Sequence, residues 1–495
     1  MRLTPDPSTR LVAGGSVLVG GSPVRVLRLT PAGARQVASW FAGTPVPPGA
    51  SARALARRLL DAGIAHPDFS ALDGPQRGSG AHPPGCPVAA DVTVVIPVRD
   101  RHAELARCLA GLRDLPHVIV VDDASADPLA IKRIAAEHGA AAVHRPVNGG
   151  PGAARNTGLN AADTDIVVFL DSDCVPRPGW LAKLLPHLAD PAVGAVAPRI
   201  VPHENGTGWL ARYEGASSTL DMGARPSIVR PGARVPYIPG AALVVRRTAA
   251  GDGFRDGMYV GEDVDFVWRM NAAGWRVRYE PGAVMGHDHR VTFRAWFARR
   301  ADYGTSAAAL EELHPGAVRP LYASWWTAGA WAAALSGRPV TAAALTATAT
   351  ALLARRLSRV TGERWPLPSS DNSNKRLRGP SPLHGAAWEL AVRLAGGGTI
   401  AAARPLGSAM SRTWWPVAVP AALAVKRLRL PVAALILAPP LLDWADRKPP
   451  LDPARYVAAR LLDDAAYSLG VWQGCLARRT IRPLVPVIGG SRQPG

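Results

Sequence analysis

Cysteine is scarce. The 495-residue chain has only Cys86, Cys108, Cys174 and Cys475, widely spaced and with no CxxC pair. That excludes a zinc ribbon or a disulfide framework and suits free thiols in a reducing compartment. Charged residues are also few, 19% against 48% hydrophobic, which excludes wholesale disorder and leaves room for membrane affinity. The N-terminal region has no basic stretch followed by an apolar core, so no cleaved secretory leader is expected and the catalytic part is expected in the cytosol. No internal repeat is visible. Lysine gives way to arginine, alanine, glycine and proline, a bias of the kind genomic base composition imposes.

What is present is unevenly distributed. Of a net charge of +19, residues 291–495 carry most, with 26 Lys and Arg against 11 Asp and Glu. These charges flank apolar runs and form no basic stripe of their own, which argues for an anionic membrane face and against nucleic acid. The length predicts two or three units.

Residues 1–72 open with short apolar runs around Leu11, Val17–Val19 and Val24–Leu27, broken by Gly-Gly pairs, a strand-rich start. Thr30-Pro31 then caps a short helix carrying Val37, Trp40 and Phe41, and residues 52–62 give a second. The pattern suggests a winged-helix-like module. Residues 73–90, rich in Gly and Pro, read as a linker.

From Val92 the pattern becomes strand, helix, strand, helix, the mark of an α/β domain with a largely parallel sheet. Strands Val92–Pro97, Val118–Val121 and Ile166–Leu170 are expected, the last two ending at Asp122-Asp123 and Asp171-Ser172-Asp173. Open α/β sheets bind ligands at such strand ends. Beyond Arg300, Leu321–Ala354 holds two apolar stretches of about sixteen residues around Gly337-Arg338-Pro339, short for a span of about 20 residues. A second pair, Trp414–Val425 and Leu430–Leu442, flanks Lys426-Arg427-Leu428-Arg429, and its prolines are expected to disturb regular helix. Spanning and interfacial helices both fit. Residues 366–384, with the basic stretch KRLR at 375–378, read as a loop.

Five motifs carry chemistry, and each alone has a plainer explanation. Asp171 and Asp173 put two carboxylates at one turn, suited to a hard cation that also binds diphosphate, or simply to a solvated turn. A carboxylate at Asp122 or Asp123 can accept the imide N–H of a uracil ring, the plainer explanation being helix capping by Asp127 and Ser125. Asn148–Gly158 (NGGPGAARNTG) is a glycine-rich bend whose Arg155 can pair with acidic groups or phosphate. Gly261–Arg269 (GEDVDFVWR) sets carboxylates at a helix start, where a base can face an acceptor hydroxyl or the helix dipole is merely satisfied. Gly286-His287-Asp288-His289 supplies imidazoles able to complete a metal shell.

As a set and in this order, VVIPV (94–98), VVDDAS (120–125), GPGAARNTG (150–158), FLDSD (169–173) and GEDVDFVWR (261–269) resemble family-2 glycosyltransferases with the GT-A fold, over residues 91–295. The resemblance implies a nucleotide-sugar donor, with Asp123 on the base and Asp122 able to share that contact. Arg155 and Asn156 would lie in the donor site. Asp171 and Asp173 would hold the diphosphate through Mg²⁺ or Mn²⁺, His287 would be a third metal ligand and Asp263 the general base. The layout, an N-terminal module similar to peptide chaperones (LTPAG, 29–33), a transferase and an apolar tail, resembles the glycosyltransferases of mycofactocin systems. It implies β-linked glucose, from UDP-glucose, added once or repeatedly to a peptide-derived redox cofactor or its precursor.

The expected organisation is therefore 1–72 peptide-binding-like, 73–90 linker, 91–300 GT-A transferase domain and 301–495 a basic, apolar helical region at the cell membrane, with the catalytic domain facing the cytoplasm. A lipid or cell-envelope polysaccharide acceptor stays open. No QxxRW motif is legible, which disfavours polymer extrusion. A nucleotidyltransferase would carry a glycine-rich loop where Pro97-Val98-Arg99-Asp100 stands, and a non-catalytic membrane-bound peptide-binding scaffold predicts loss of a key acid, yet Asp171, Asp173 and Asp263 are all present.

Overall fold

The computed structural model describes residues 1–12, 15–69, 85–204, 206–289, 292–361 and 384–489. Residues 73–84 of the expected linker and the basic stretch at 375–378 lie outside the described residues. The backbone divides into two compact units. One gathers Met1–Ala65, Arg319–Asp443 and Thr480–Gln493; the other gathers His66–Val318, Trp444–Arg479 and Pro494–Gly495.

In the first unit, β1 (Arg2–Pro5) precedes an antiparallel sheet of β2 (Arg10–Val12), β3 (Val17–Gly20) and β4 (Arg25–Arg28). Leu11, Leu18 and Leu27 share one register line across it. α1 (Pro31–Phe41) starts where the sequence predicts, because Thr30 Oγ1 accepts the Gly33 N–H at 3.1 Å and Pro31 fixes the first turn. α2 (Ala50–Asp61) follows, and the short β5 (Ala65–Asp68) begins at the last residue of the Met1–Ala65 stretch. Leu3, Leu18, Val37, Trp40, Leu59 and Ile64 form the small core. Val12 and Val19 also pack beside Ala354, Leu357 and Leu390 of the downstream helices.

Helices Trp325–Leu335 and Pro339–Thr361 break at Gly337, as the Gly-Arg-Pro sequence requires. The proline-rich helix Arg429–Arg447 instead runs through Pro439 and Pro440 without interruption. The irregularity expected there falls in two π-helical stretches, Val392–Gly397 and Met410–Trp414. Proline leaves the carbonyl four residues back without its usual donor. Here the Leu435 carbonyl packs against the bare Cα of Gly407, where a Cβ would lie 2.5 Å from that oxygen. Among the described residues one helix, Lys426–Arg447, is long and apolar enough to cross a membrane, and only 17% of its apolar window is buried.

The second unit is an α/β domain. Its elements in order are β6 (Val92–Val98), α3 (His102–Ala110), β7 (His117–Asp123), α4 (Pro128–Glu137), β8 (Ala141–Arg145), α5 (Gly150–Ala161), β9 (Ile166–Leu170), β10 (Cys174–Pro176) and α6 (Trp180–Leu184). Then come β11 (Val193–Pro202), α7 (Trp209–Ser217), β12 (Ser227–Val229), β13 (Ala242–Arg246), α8 (Glu262–Ala272), β14 (Arg276–His287) and α9 (Phe293–Leu313). The strands form one sheet in the order β10-β14-β11-β13-β9-β6-β7-β8, with β12 beside β14.

β6 to β9 pair in parallel, so the ends of β6, β7 and β9 share one edge. All seven residues of β6 are buried, which is why it reads as a continuous apolar run. The sheet as a whole is mixed, where a largely parallel one was expected. β13 inserts antiparallel between β9 and β11, setting Ala242 opposite Leu170. That insertion brings the chain just before β13 against the Asp171 turn, where the Asp171 N–H donates to the Ala241 carbonyl at 2.9 Å. β10 pairs antiparallel with β14, setting Cys174 opposite His287.

The long helix Pro453–Ala477 packs on α9. A Cβ on Gly470 would lie 1.8 Å from the Ala301 carbonyl, and one on Gly304 2.1 Å from the Tyr467 carbonyl, so the two backbones touch through glycine. Buried charge reinforces the contact: Arg300 Nε stands 3.1 Å from Asp463 Oδ1, and Tyr213 Oη donates to Asp463 Oδ2 at 2.9 Å.

Candidate active site

The turns after β6 and β7 are built around each other. Asp100 and Ala124 both adopt left-handed backbone, at φ 57° and 60°, a conformation costly for residues with a Cβ. Cross-bonds between the turns hold it: the Asp100 N–H donates to Ser125 Oγ at 2.9 Å, and the Ala126 N–H to Asp100 Oδ1 at 2.7 Å. Asp122 is buried, accepting the Ser125 N–H at 2.9 Å and lying 2.8 Å from His144 Nδ1. Asp123 gathers the glycine-rich bend. Its Oδ1 accepts from Arg145 Nε (2.8 Å) and the Gly149 N–H (3.0 Å), and its Oδ2 from the Gly150 N–H (2.8 Å).

Arg155, 2% exposed, projects from α5 and donates to Asp171 Oδ1 and to Glu262 Oε1, both at 2.8 Å, with its guanidinium 5.2 Å over the Phe254 ring. It thereby ties the DxD turn to the start of α8. Asn156 clasps the backbone of Phe254 from both sides, at 2.7 Å each. In this arrangement Arg155 and Asn156 both bond protein groups.

Asp173 lies 3.5 Å from His287 Nε2 and is ion-paired with Arg101. Burial opposes its ionisation, but His287 and the Arg101 guanidinium outweigh this and hold the carboxyl below the usual range. His287 Nδ1 is buried without a hydrogen-bond partner. Among the described residues no three His, Cys, Asp or Glu side chains converge into a preformed metal shell. The pair Asp173 and His287 nevertheless offers an ionised oxygen and an imidazole nitrogen side by side. Asp171, whose side chain is 31% exposed, adds a second carboxylate at the same turn. That donor set fits a divalent cation whose remaining positions are filled by phosphate oxygens.

Asp263 follows Gly261, which turns the chain into α8 in left-handed conformation. Its Oδ2 accepts the Gly240 N–H at 2.7 Å and its Oδ1 the Val264 N–H at 2.8 Å. A Cβ on Gly240 would lie 3.1 Å from both Asp263 Cβ and Arg155 Nη2, so glycine permits this approach. Burial raises the Asp263 carboxyl above the usual range, against the pull of those N–H groups and of Arg155. Burial and the neighbouring Asp263 raise Glu262 in the same direction. Asp265 is fully buried, 2.9 Å from Arg269 Nε and from His314 Nε2. Burial alone would raise it, but those bonds and the Arg255 charge hold it at about 2.

Sequence reasoning missed Arg101 and Arg145; it named Arg155 but not Glu262 as its partner. Arg101 had a legible signal, a basic residue three positions after an apolar strand that ends at the ligand-binding edge.

The family model for glycosyl transferase family 2 matches residues 93–252, which span the strand-end acids and the glycine-rich bend. With the full-length similarity that follows, this establishes the class: the chain belongs to the family-2 glycosyltransferases, and the α/β domain has their GT-A fold. The pre-mycofactocin glycosyltransferase of Mycobacterium tuberculosis is 40% identical over 493 residues, covering 98% of this chain and 97% of its own length. Two solved structures are looser likenesses. The mannosyltransferase PcManGT from Pyrobaculum calidifontis, in complex with GDP-Man and Mn²⁺, is 24% identical and covers 63% of this chain and 87% of its own, with a TM-score of 0.36. Glucosyl-3-phosphoglycerate synthase from Mycobacterium tuberculosis, in complex with Mn²⁺, UDP-glucose and phosphoglyceric acid, is 22% identical and covers 45% and 79%, with a TM-score of 0.33.

Proposed function

We propose that this glycosyltransferase transfers a hexose, glucose, from UDP-glucose to a peptide-derived acceptor, mycofactocin or its precursor, with inversion at the anomeric carbon and repeated transfers building a short oligosaccharide. The acceptor class is supported by the similarity to the pre-mycofactocin glycosyltransferase over 98% of this chain. The chemistry is supported by one observation above all: Arg155 bonds Asp171 and Glu262 together, which keeps Asp263 beside the turn that would hold the diphosphate.

In this reading Asp263 takes the proton from an acceptor hydroxyl as that oxygen attacks the anomeric carbon and the bond to the nucleoside diphosphate breaks. Its raised affinity for protons makes it a stronger base than an exposed aspartate. Asp171, Asp173 and His287 would hold Mg²⁺ or Mn²⁺, which when bound neutralises charge on the departing diphosphate. Asp123 takes the base, with Asp122, Arg155 and Asn156 shaping the donor surface from beneath. Residues 1–72 recruit the peptide part of the acceptor. The basic, apolar region beyond residue 301 holds the enzyme at the cytoplasmic face of the cell membrane, a role supported by the exposed helix Lys426–Arg447.

The test is incubation of the full chain with a panel of nucleotide sugars and of peptide-derived and lipid acceptors, with product mass as readout. Gain of one or more hexose units from UDP-glucose alone is the expected result. Transfer only to a lipid acceptor would overturn the acceptor assignment.

A further inference from the structure

Tyr259 stands two residues before Gly261 and is 56% exposed, yet the Cδ1–Cε1 side of its ring is occupied. A Cβ built on Gly150 would lie 2.7 Å from Tyr259 Cδ1 and 2.9 Å from its Cε1. The ring therefore rests on the bare Cα of Gly150. That glycine has φ +81° and donates its N–H to Asp123 Oδ2 at 2.8 Å. Ring, glycine and carboxylate follow one another at the end of β7. Isolated exposed tyrosines are common on protein surfaces; this one is set apart by its seat on the turn that Asp123 gathers.

The Asp123 carboxylate is not saturated. Oδ1 takes two donors, Arg145 Nε and the Gly149 N–H, whereas Oδ2 takes only the Gly150 N–H. Oδ2 keeps a lone pair for one further donor. A base with a ring N–H between carbonyl or amino carbons, such as uracil or guanine, can supply it, whereas adenine and cytosine carry no such hydrogen. A base held by that bond lies beside Gly150, which the Tyr259 ring touches, and so within reach of that ring. We infer that Tyr259 stacks on the nucleobase of the donor, so that the base is read at its edge by Asp123 and on its face by Tyr259. This rests on the transferase reading of the site.

The experiment is calorimetric titration of the full chain with UDP, GDP and inorganic pyrophosphate in the presence of Mn²⁺. Tyr259→Ala is expected to weaken the nucleotide that the wild type binds by about tenfold, the scale of one base-aromatic stack. Tyr259→Phe, which keeps the ring, binds as the wild type does, and pyrophosphate affinity is unchanged in both variants. An alanine variant that binds the nucleotide as tightly as the wild type, or that loses pyrophosphate affinity to the same degree, overturns the stacking role and leaves the transferase reading standing. A wild-type chain that binds neither UDP nor GDP overturns both.

Discussion

Removal of Arg155 tests the clamp at the centre of the site. The guanidinium is 2% exposed, its two carboxylate partners sit at 2.8 Å, and Glu262 is itself buried. Breaking a buried ion pair by deleting one partner costs about 3–5 kcal/mol, because the other charge is left without compensation. Glu262 already binds protons more tightly than an exposed glutamate, so in Arg155→Met it can relieve part of that cost by taking up a proton, and the loss is expected near the lower end. In the double variant Arg155→Met with Glu262→Gln, the orphaned charge is gone and stability returns in part. The coupling between the two sites is expected at roughly 1–3 kcal/mol, within the range of about 0.5–3 kcal/mol for residues in one network. Guanidinium unfolding of the wild type, both single variants and the double variant closes the cycle. Additivity within about 0.5 kcal/mol would refute the clamp. Arg155→Lys is expected to behave nearly as badly as Arg155→Met, because one ammonium lacks the planar fork that serves both carboxylates.

Asp263→Asn is expected to lower turnover by about 10² to 10⁴ while leaving UDP affinity intact, measured by steady-state kinetics and calorimetry; an equal loss of UDP affinity would reassign the residue to binding. Because burial raises the Asp263 carboxyl, the acid limb of the kcat/KM profile is expected above the range of an exposed aspartate, with activity lost as pH falls through the raised value. Asp173→Ala is expected to abolish the Mn²⁺ dependence of UDP binding, and equal affinities with and without metal would remove it from the cation site. Asp265, held at about 2, contributes stability that is present above the ordinary aspartate range and lost as pH falls toward 2, so the cost of Asp265→Asn should be about 2 kcal/mol greater at neutral pH than near pH 2. Gly470→Val is expected to lower the unfolding midpoint sharply and to cost soluble yield, since any Cβ there meets the Ala301 carbonyl; an unchanged midpoint would show that α9 and the helix Pro453–Ala477 do not touch as described.

The packing of Pro453–Ala477 on α9 also changes how the chain divides. Cutting the sequence where its apolar character begins, near Arg319, removes the helix whose Asp463 faces Arg300 inside the transferase-bearing unit. Hydropathy along the chain does not reveal this, because the contact joins residues 163 positions apart.

The sequence alone was sufficient for whatever depends on local pattern. Continuous apolar runs marked β6 and β9, Thr30-Pro31 marked the start of α1, and acids marked the ends of β7 and β9, because strand burial, capping and chain reversal each use residues a few positions apart. Motif order was enough to identify the family. Tertiary structure alone decided who partners whom. The chain has 52 arginines, and nothing local singles out Arg155 for Asp171 and Glu262, Arg101 for Asp173, or Arg300 for Asp463. The antiparallel entry of β13, which seats Gly240 beneath Asp263, is likewise invisible locally, because an apolar strand reads the same in either direction. Such pairings join segments tens to hundreds of residues apart, and their energy comes from burying charge or backbone where only the assembled sheet and helices exclude water.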